Sequence, residues 1–511
     1  MKNILAILLA LIGFQHSQAF CGFYVAKASM DLFNHASQVI LVKDGSKMTV
    51  TMYSDFHGDI KDFAMVVPVP QVLKKEQIKV IEKDIFTRLN DYTAPRLVNY
   101  KDPDFYCPHP QDKNEITILG ESMPIRGQLA ASVMALDEVV VTGRKKKYKV
   151  KVQKKYSIGG YDILILSAKK SKGLEEWLKD HDYKIPEGAS EVLEPYIKSG
   201  MKFFVVKVNE KAFERQQNKY LHPLQITYNS ERFMLPIRLG MANAKGDQDM
   251  IVYAFSKKGR IECTNYQTHK IPSNMDVPLP VAGLFDNFYS SLFDKSWAAR
   301  GKDGVMFEYG WNITGSNPVK CDPCPTPALT YPQLVDAGVD WLKSRNNFNY
   351  SGKLYISRMH VRYNREKFPQ DLSFQETPNW KNFQGRYVLR YPGKSITGLY
   401  NCDAAQTYLK ALRKRRIEEV KSLEELTDWP AIGYQDYIQE YDQHIIDWGY
   451  LEALPEKENK GEIILPVLPN WFKWAPFLLL GLFLMVLIGL SLRKGEQLKP
   501  QISKEDLHFQ A

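Results

Sequence analysis

The stretch YDILILSAKKSKGLEEWLKDHDYKIPEGASEVLEPYIKSGMKFFVVKVN, residues 161–209, decides the fold class. It opens and closes on runs of β-branched and apolar residues, YDILILSA and KFFVVKVN, each short enough to be one buried strand. Between them lie two segments with helical spacing around the Ile185-Pro186 break. Trp177, Leu178, Leu193 and Ile197 are their expected anchors, because residues three and four apart share a helix face. A helix pair inserted between strands, with more strands on either side, is an α+β pattern.

Working toward the N-terminus, SQVILVKDGSKMTVTMYS predicts a hairpin around Asp44-Gly45 with a type I′ turn. FAMVVPVP predicts a buried or edge strand ended by Pro68 and Pro70. LKKEQIKVIEKDIFTRLNDYTAP has helical spacing, with Ile78, Ile81, Ile85 and Leu89 on one face. RKKKYKVKVQKK, residues 144–155, holds eight basic residues and no acidic one. Lysines alternate there with Tyr148, Val150 and Val152, which predicts a half-buried strand in a hairpin with its turn near Gly143. Lysines on an edge strand discourage edge-to-edge pairing; a membrane or glycan surface is the other reading.

Toward the C-terminus, PLQITYNSERFMLPIRLG and DMIVYAFSKKGRIECTNYQ continue the strand pattern. TYPQLVDAGVDWLKS predicts a short helix capped by Thr330, and GKLYISRMHVRYN a strand. DAAQTYLKALRKRRIEEVKSLEEL predicts a charged helix, which QDYIQEYDQHIIDWGYLEAL extends.

The two ends set the expected topology. Lys2, the apolar run Ile4–Phe14 and Ser17-Gln18-Ala19 form a secretory signal peptide cleaved after Ala19. Residues 475–492 carry no charge over 18 residues, about 27 Å of helix, enough to cross a bilayer. Trp471 and Trp474 stand at one edge of this run; Arg493 and Lys494 stand at the other, the cytoplasmic side under the positive-inside rule. The expected organisation is signal peptide 1–19, a β-rich α+β ectodomain 20–270 and a second α+β segment 271–401 with the paired cysteines. A helical segment 402–452, a stalk 453–470, a single transmembrane helix 471–492 and a cytoplasmic tail 493–511 follow. In a Gram-negative cell the ectodomain is then periplasmic.

Several of these stretches carry a resemblance. CGFYV after the signal, GDIKDFAMVVPVP, the 161–209 segment, LPIRLGMA, KCDPCP and YISRMHVRYNREKFPQDLSF look like an exported bacterial family known as domain of unknown function 2330. The resemblance covers roughly residues 21–375. It implies a signal peptide, a large ectodomain and a C-terminal membrane helix. It implies no activity, substrate or catalytic residue.

The formal charge is +10 at pH 7. That mild positive balance favours anionic neighbours such as lipid headgroups or acidic polysaccharide, and export excludes nucleic acid as a partner. Six cysteines follow the signal: Cys21, Cys107, Cys263, Cys321, Cys324 and Cys402. In an oxidising compartment disulfides are the default, and six cysteines allow 15 connectivities. For Cys321 and Cys324 three readings compete. A redox dithiol needs a helix N-terminus at the first cysteine, and Pro325 and Pro327 delay any helix to about Tyr331. A zinc site needs Cys107 and His109 as a second pair. A local disulfide clasp fits the proline-stiffened loop best.

For catalysis, YSDFHGDIKD offers Asp55, His57, Asp59 and Asp62 as a base with orienting carboxylates, the basis of a hydrolase alternative. Arg358, His360 and Arg362 alternate on one strand and are candidate anion contacts. No nucleophile elbow, zinc-protease or phosphate-loop motif is present, and no cofactor or metal is expected. The expected function is a membrane-anchored envelope protein with a binding or structural ectodomain. A hydrolase using residues near His57 and a thiol-disulfide protein using Cys321 and Cys324 are the alternatives.

Overall fold

The computed structural model describes residues 23–24, 33–57, 64–108, 148–181, 189–209, 211, 221–242, 246–317, 319–324 and 326–446. Two sheets packed face to face organise them. The larger has nine strands. From edge to edge run Thr268–Lys270, Val305–Asn312, Tyr355–Tyr363, Gln248–Ser256, Phe33–Asp44, Lys47–His57, Leu224–Asn229 and Ile78–Val80, and Phe383–Gln384 adds to Val305–Asn312. The smaller has five, in the order Phe23–Tyr24, Ala64–Val69, Lys202–Val208, Tyr161–Ala168 and Val150–Ile158. Among the described residues seven α-helices join these sheets, so the fold is α+β and β-rich.

The layers follow from alternation along each strand. Val39 and Leu41 face the core between the sheets, together with Met65, Val67, Ile163 and Phe204 of the smaller sheet. Ile40 and Val42 face the opposite core, under the helices Asp84–Thr93 and Tyr331–Asp336. Ala64 and Val66 face a third core, under Ser171–Lys179 and Ala189–Lys198. The order is therefore helices, five strands, nine strands, helices. Strands covered on both faces lose the polar half of their alternation, which is why VILV and FFVVKV are almost wholly apolar. The predicted helix pair is present, with Trp177, Leu178 and Leu193 buried and Ile197 packed against them.

The hairpin pairs Asp44 with Lys47, so its turn residues are Gly45 and Ser46. Only Gly45 has a positive φ, +59°. That is the sign pattern of a type II′ turn rather than the expected type I′. The helix expected to include Ile78 begins instead at Asp84. Ile78 and Val80 pair with Ile226 and Leu224 at the edge of the larger sheet, and this pairing overrides the helical spacing. Val150–Ile158 is an edge strand, as expected of its lysines. A register shift between Val152 and Lys154 leaves Val152 exposed, although the alternation predicts it buried. It pairs with Tyr161–Ala168; the expected partner segment around Gly143 lies outside the described residues.

Thr330 caps Tyr331–Asp336 by accepting a hydrogen bond from the Gln333 backbone N–H. Asp403–Thr427 is a 25-residue helix, packed with Phe285–Ala298 around Phe288, Trp297, Leu423 and Trp429. The expected extension breaks into the short helix Gln435–Gln439 and a 3-10 turn, Asp442–His444. Strands from both sides of residue 270 share the larger sheet, so segments 20–270 and 271–401 meet in one sheet. No described helix is long and apolar enough to cross a membrane. The expected signal peptide, stalk, span and tail lie outside the described residues.

Candidate functional site

Arg358, His360 and Arg362 do share a face of the strand Tyr355–Tyr363, but carboxylates already occupy it. Asp249 is the cross-strand neighbour of Arg362. Glu308 arrives by a β-bulge: Phe307 pairs with Met359 and Tyr309 with Arg358, which leaves Glu308 without a partner in the ladder. A bulge re-aims the side chain it inserts. Here it turns Glu308 onto the basic face, where Arg358 Nε donates to Oε2 at 2.6 Å and His360 Nδ1 lies 3.0 Å from Oε1. Tyr289 also donates to Glu308. His360 Nε2 lies 3.0 Å from Asp249 Oδ1, and Arg362 grips both Asp249 oxygens at 2.8 and 3.0 Å and also pairs with Asp294. Arg358 Nη1 reaches Asn90 at 2.9 Å.

Both imidazole nitrogens of His360 therefore face carboxylates, and the ring carries two protons. Burial opposes that charge, but the bonds to Asp249 and Glu308 prevail and hold its pKa at about 9. Burial likewise opposes ionisation of Glu308, and Arg358 with His360 brings it down to about 2. Three cations meet three carboxylates, with Glu308 wholly buried. A face so neutralised offers no free positive charge, so the expected anion contact at Arg358, His360 and Arg362 is replaced by an internal ion-pair network.

The cysteines divide. Cys107 and Cys402 are bonded with Cα atoms 5.7 Å apart, and Cys321 and Cys324 with Cα atoms 5.0 Å apart. The clasp reading of the second pair holds. Cys321 is buried in the core with Tyr309 and Trp311, whereas Cys324 is exposed, so the bond ties a surface loop to that core. An apolar setting disfavours a thiolate at Cys321, which argues against a redox dithiol. The zinc reading fails because Cys107 is committed to Cys402, and no metal-binding cluster exists among the described residues. Cys263 is a buried free thiol, contrary to the expectation that every cysteine is bonded. Cys21 and His109 lie outside the described residues. Asp55 and His57 end the strand Lys47–His57; their side chains, with Asp59 and Asp62, lie outside the described residues.

A cleft that no sequence motif marks lies between the helix Ala189–Lys198 and the three-stranded sheet of Met234–Leu235, Leu372–Glu376 and Ile261–Cys263. Its volume is about 530 Å³. Asp371 forms its floor. Asp371 Oδ1 accepts from the Tyr196 hydroxyl at 2.6 Å and from the backbone N–H of Ile237 and Arg238 at 3.0 and 3.2 Å. Its Oδ2 accepts from Arg238 Nη2 at 3.2 Å. Burial and the Asp371 charge push the Tyr196 phenol well above its usual range, so it stays a donor. The Arg238 guanidinium lies over the Tyr196 ring, 5.1 Å from its centre. Arg232 also lines the cleft; it is exposed and makes no side-chain hydrogen bond or ion pair among the described residues. Phe233, Phe374, Met201 and Met234 supply apolar walls.

One signal for this cleft was present in the chain. Tyr196, Arg238 and Asp371 belong to three of the stretches that carry the family resemblance: the helix-Pro-helix segment, LPIRLGMA and the end of YISRMHVRYNREKFPQDLSF. Those stretches lie far apart in sequence and converge on one carboxylate.

No curated protein and no solved structure matches this chain. A family model described as "Uncharacterized protein conserved in bacteria (DUF2330)" matches residues 15–375. Since that match takes in most of the chain, together with the three stretches that meet at Asp371, this protein belongs to the DUF2330 family of bacterial proteins.

Proposed function

We propose that this protein is a membrane-anchored component of the bacterial envelope whose exported part binds another envelope component. The observation that carries the reading is the cleft at Asp371, where three distant stretches build a concave, partly apolar surface with a guanidinium, that of Arg232, left free to meet a ligand. Concave sites with apolar walls and a few placed polar groups are the usual form of a ligand pocket. The two disulfides support an oxidising compartment. The uncharged run 475–492 supports the anchor.

Two measurements test this. Protease added to spheroplasts should digest the large N-terminal region and leave a short membrane-embedded remnant; a protected protein would remove the envelope reading. A photocrosslinking residue in place of Met201, in the full-length protein in its own membranes, should trap a discrete envelope component. Arg232→Ala should abolish that product. Trapping that ignores the substitution would remove the cleft as the binding surface.

A further inference from the structure

We infer that the cleft at Asp371 recognises a single carboxylate attached to an apolar body. This rests on the binding reading above and specifies its ligand.

Asp371 accepts four hydrogen bonds, two from side chains and two from backbone N–H groups. A carboxylate so saturated has little left for a cation, and it serves as the support that fixes Tyr196 and Arg238. Arg238 spends Nη2 on Asp371, while its buried Nε has no partner. Arg232 spends none of its donors on the described residues. Gln370 lines the same cleft, and its Oε1 is engaged by Asn265 at 3.4 Å, which turns its amide nitrogen into the remaining donor.

The charges then choose the ligand. Two guanidinium groups against one carboxylate leave a single net positive charge in the cleft. That matches one carboxylate, whereas a phosphomonoester brings nearly two negative charges. The planar guanidinium fork also fits a carboxylate in two-point contact. The walls choose the rest. Phe233 and Phe374 stand with ring centres 5.4 Å apart and are almost wholly buried, so a charged group lodged against them is poorly solvated unless an apolar part comes with it. A volume of about 530 Å³ suits a short peptide end or a medium acyl chain rather than a polymer strand.

Carboxylates of this kind come from two sources, a peptide C-terminus and a fatty acid. Titration calorimetry of the detergent-solubilised full-length protein separates them with three probes: N-acetyl-leucyl-phenylalanine as the free acid, the same dipeptide as its C-terminal amide, and decanoate. The free acid should bind saturably and its amide at least tenfold more weakly. Arg232→Ala should weaken the acid at least tenfold with an unchanged melting temperature, since Arg232 is exposed, and Arg232→Lys should restore part of the affinity. Decanoate binding as well as the peptide acid would support the same carboxylate recognition with an acyl source; binding of the peptide acid alone would support it with a peptide source. Equal affinity for acid and amide, or no saturable binding of either carboxylate, would overturn the inference. If the Met201 crosslink still depends on Arg232 in that case, the binding reading survives and only the ligand class falls.

Discussion

Glu308 Oε1 and His360 Nδ1 lie 3.0 Å apart, in a layer where a β-bulge has placed one carboxylate between Arg358 and an imidazole. Glu308 is completely buried, and the charges around it are what permit it to be ionised there. The arrangement makes the network a condition of the sheet's integrity rather than a surface ornament.

Removing one partner should therefore cost more than removing two. Arg358→Met leaves Glu308 with a charge opposed only by His360, and should destabilise the protein by about 3–5 kcal/mol. The double variant Glu308→Leu with Arg358→Met should recover much of that loss. Urea unfolding followed by circular dichroism reads both. A double variant as unstable as the single one would contradict this account.

The pH dependence has a defined window. His360 is raised from 6.5 to about 9, so its contribution is complete below pH 6.5 and is lost as pH rises toward 9. Glu308 is lowered from 4.5 to about 2, so its contribution is complete above pH 4.5 and is lost as pH falls toward 2. Stability from this network should thus be flat between pH 4.5 and 6.5. The slope on either side is at most about 1.4 kcal/mol per pH unit for each group. His360→Gln should flatten the alkaline limb and also weaken the acid limb, because His360 helps to hold Glu308 down, in melting temperatures recorded across pH 3–9.

Glu419 should behave in the opposite sense. It sits in the helix Asp403–Thr427, buried, with Tyr437 donating to it at 2.5 Å and Arg415 Nε 3.4 Å away. Burial dominates and raises it from 4.5 to about 7. A carboxyl raised on folding costs stability as pH climbs from 4.5 through 7. Glu419→Gln keeps an acceptor for Tyr437, while Arg415 retains Asp102 and Arg416 retains Glu440. The variant should melt higher than the parent at pH 8 and match it at pH 4.5. A lower melting temperature at pH 8 would show that the charge is needed.

The two disulfides should differ in weight. Cys107–Cys402 closes a sequence separation of 295 residues and Cys321–Cys324 one of three. Loop-closure entropy assigns them roughly 6 and 2 kcal/mol. Cys107→Ser should also loosen the start of the helix Asp403–Thr427, because the bond tethers its N-cap residue, Cys402, and the substitution leaves residue 402 itself unchanged. Hydrogen exchange at residues 403–410 reads that effect, and Cys321→Ser should not produce it. Alkylation without reductant should label Cys263 only after denaturation.

Much of the framework was legible because it rests on short-range periodicity. Apolar and β-branched runs marked the strands 33–44, 47–57 and 202–208, a helical stripe around Ile185-Pro186 marked the helix pair, and Thr330 marked its helix start. Patterning was misleading where a neighbour from elsewhere intervened. Ile78 left its helical stripe for a sheet edge offered by residues 224–226, and Val152 lost its buried place to a register shift.

The sequence by itself determined the strands, the helix pair, the α+β class and the family, since each depends on residues close along the chain. Tertiary structure alone decided that Glu308 turns onto Arg358 and His360, that Cys107 finds Cys402, and that Tyr196, Arg238 and Asp371 close one cleft. Glu308 stands 50 and 52 residues from its two partners, Cys107 stands 295 from Cys402, and Asp371 stands 175 and 133 from Tyr196 and Arg238. Which distant groups meet depends on where the packed sheets return the chain, and a single bulge can change it; local periodicity carries no record of either.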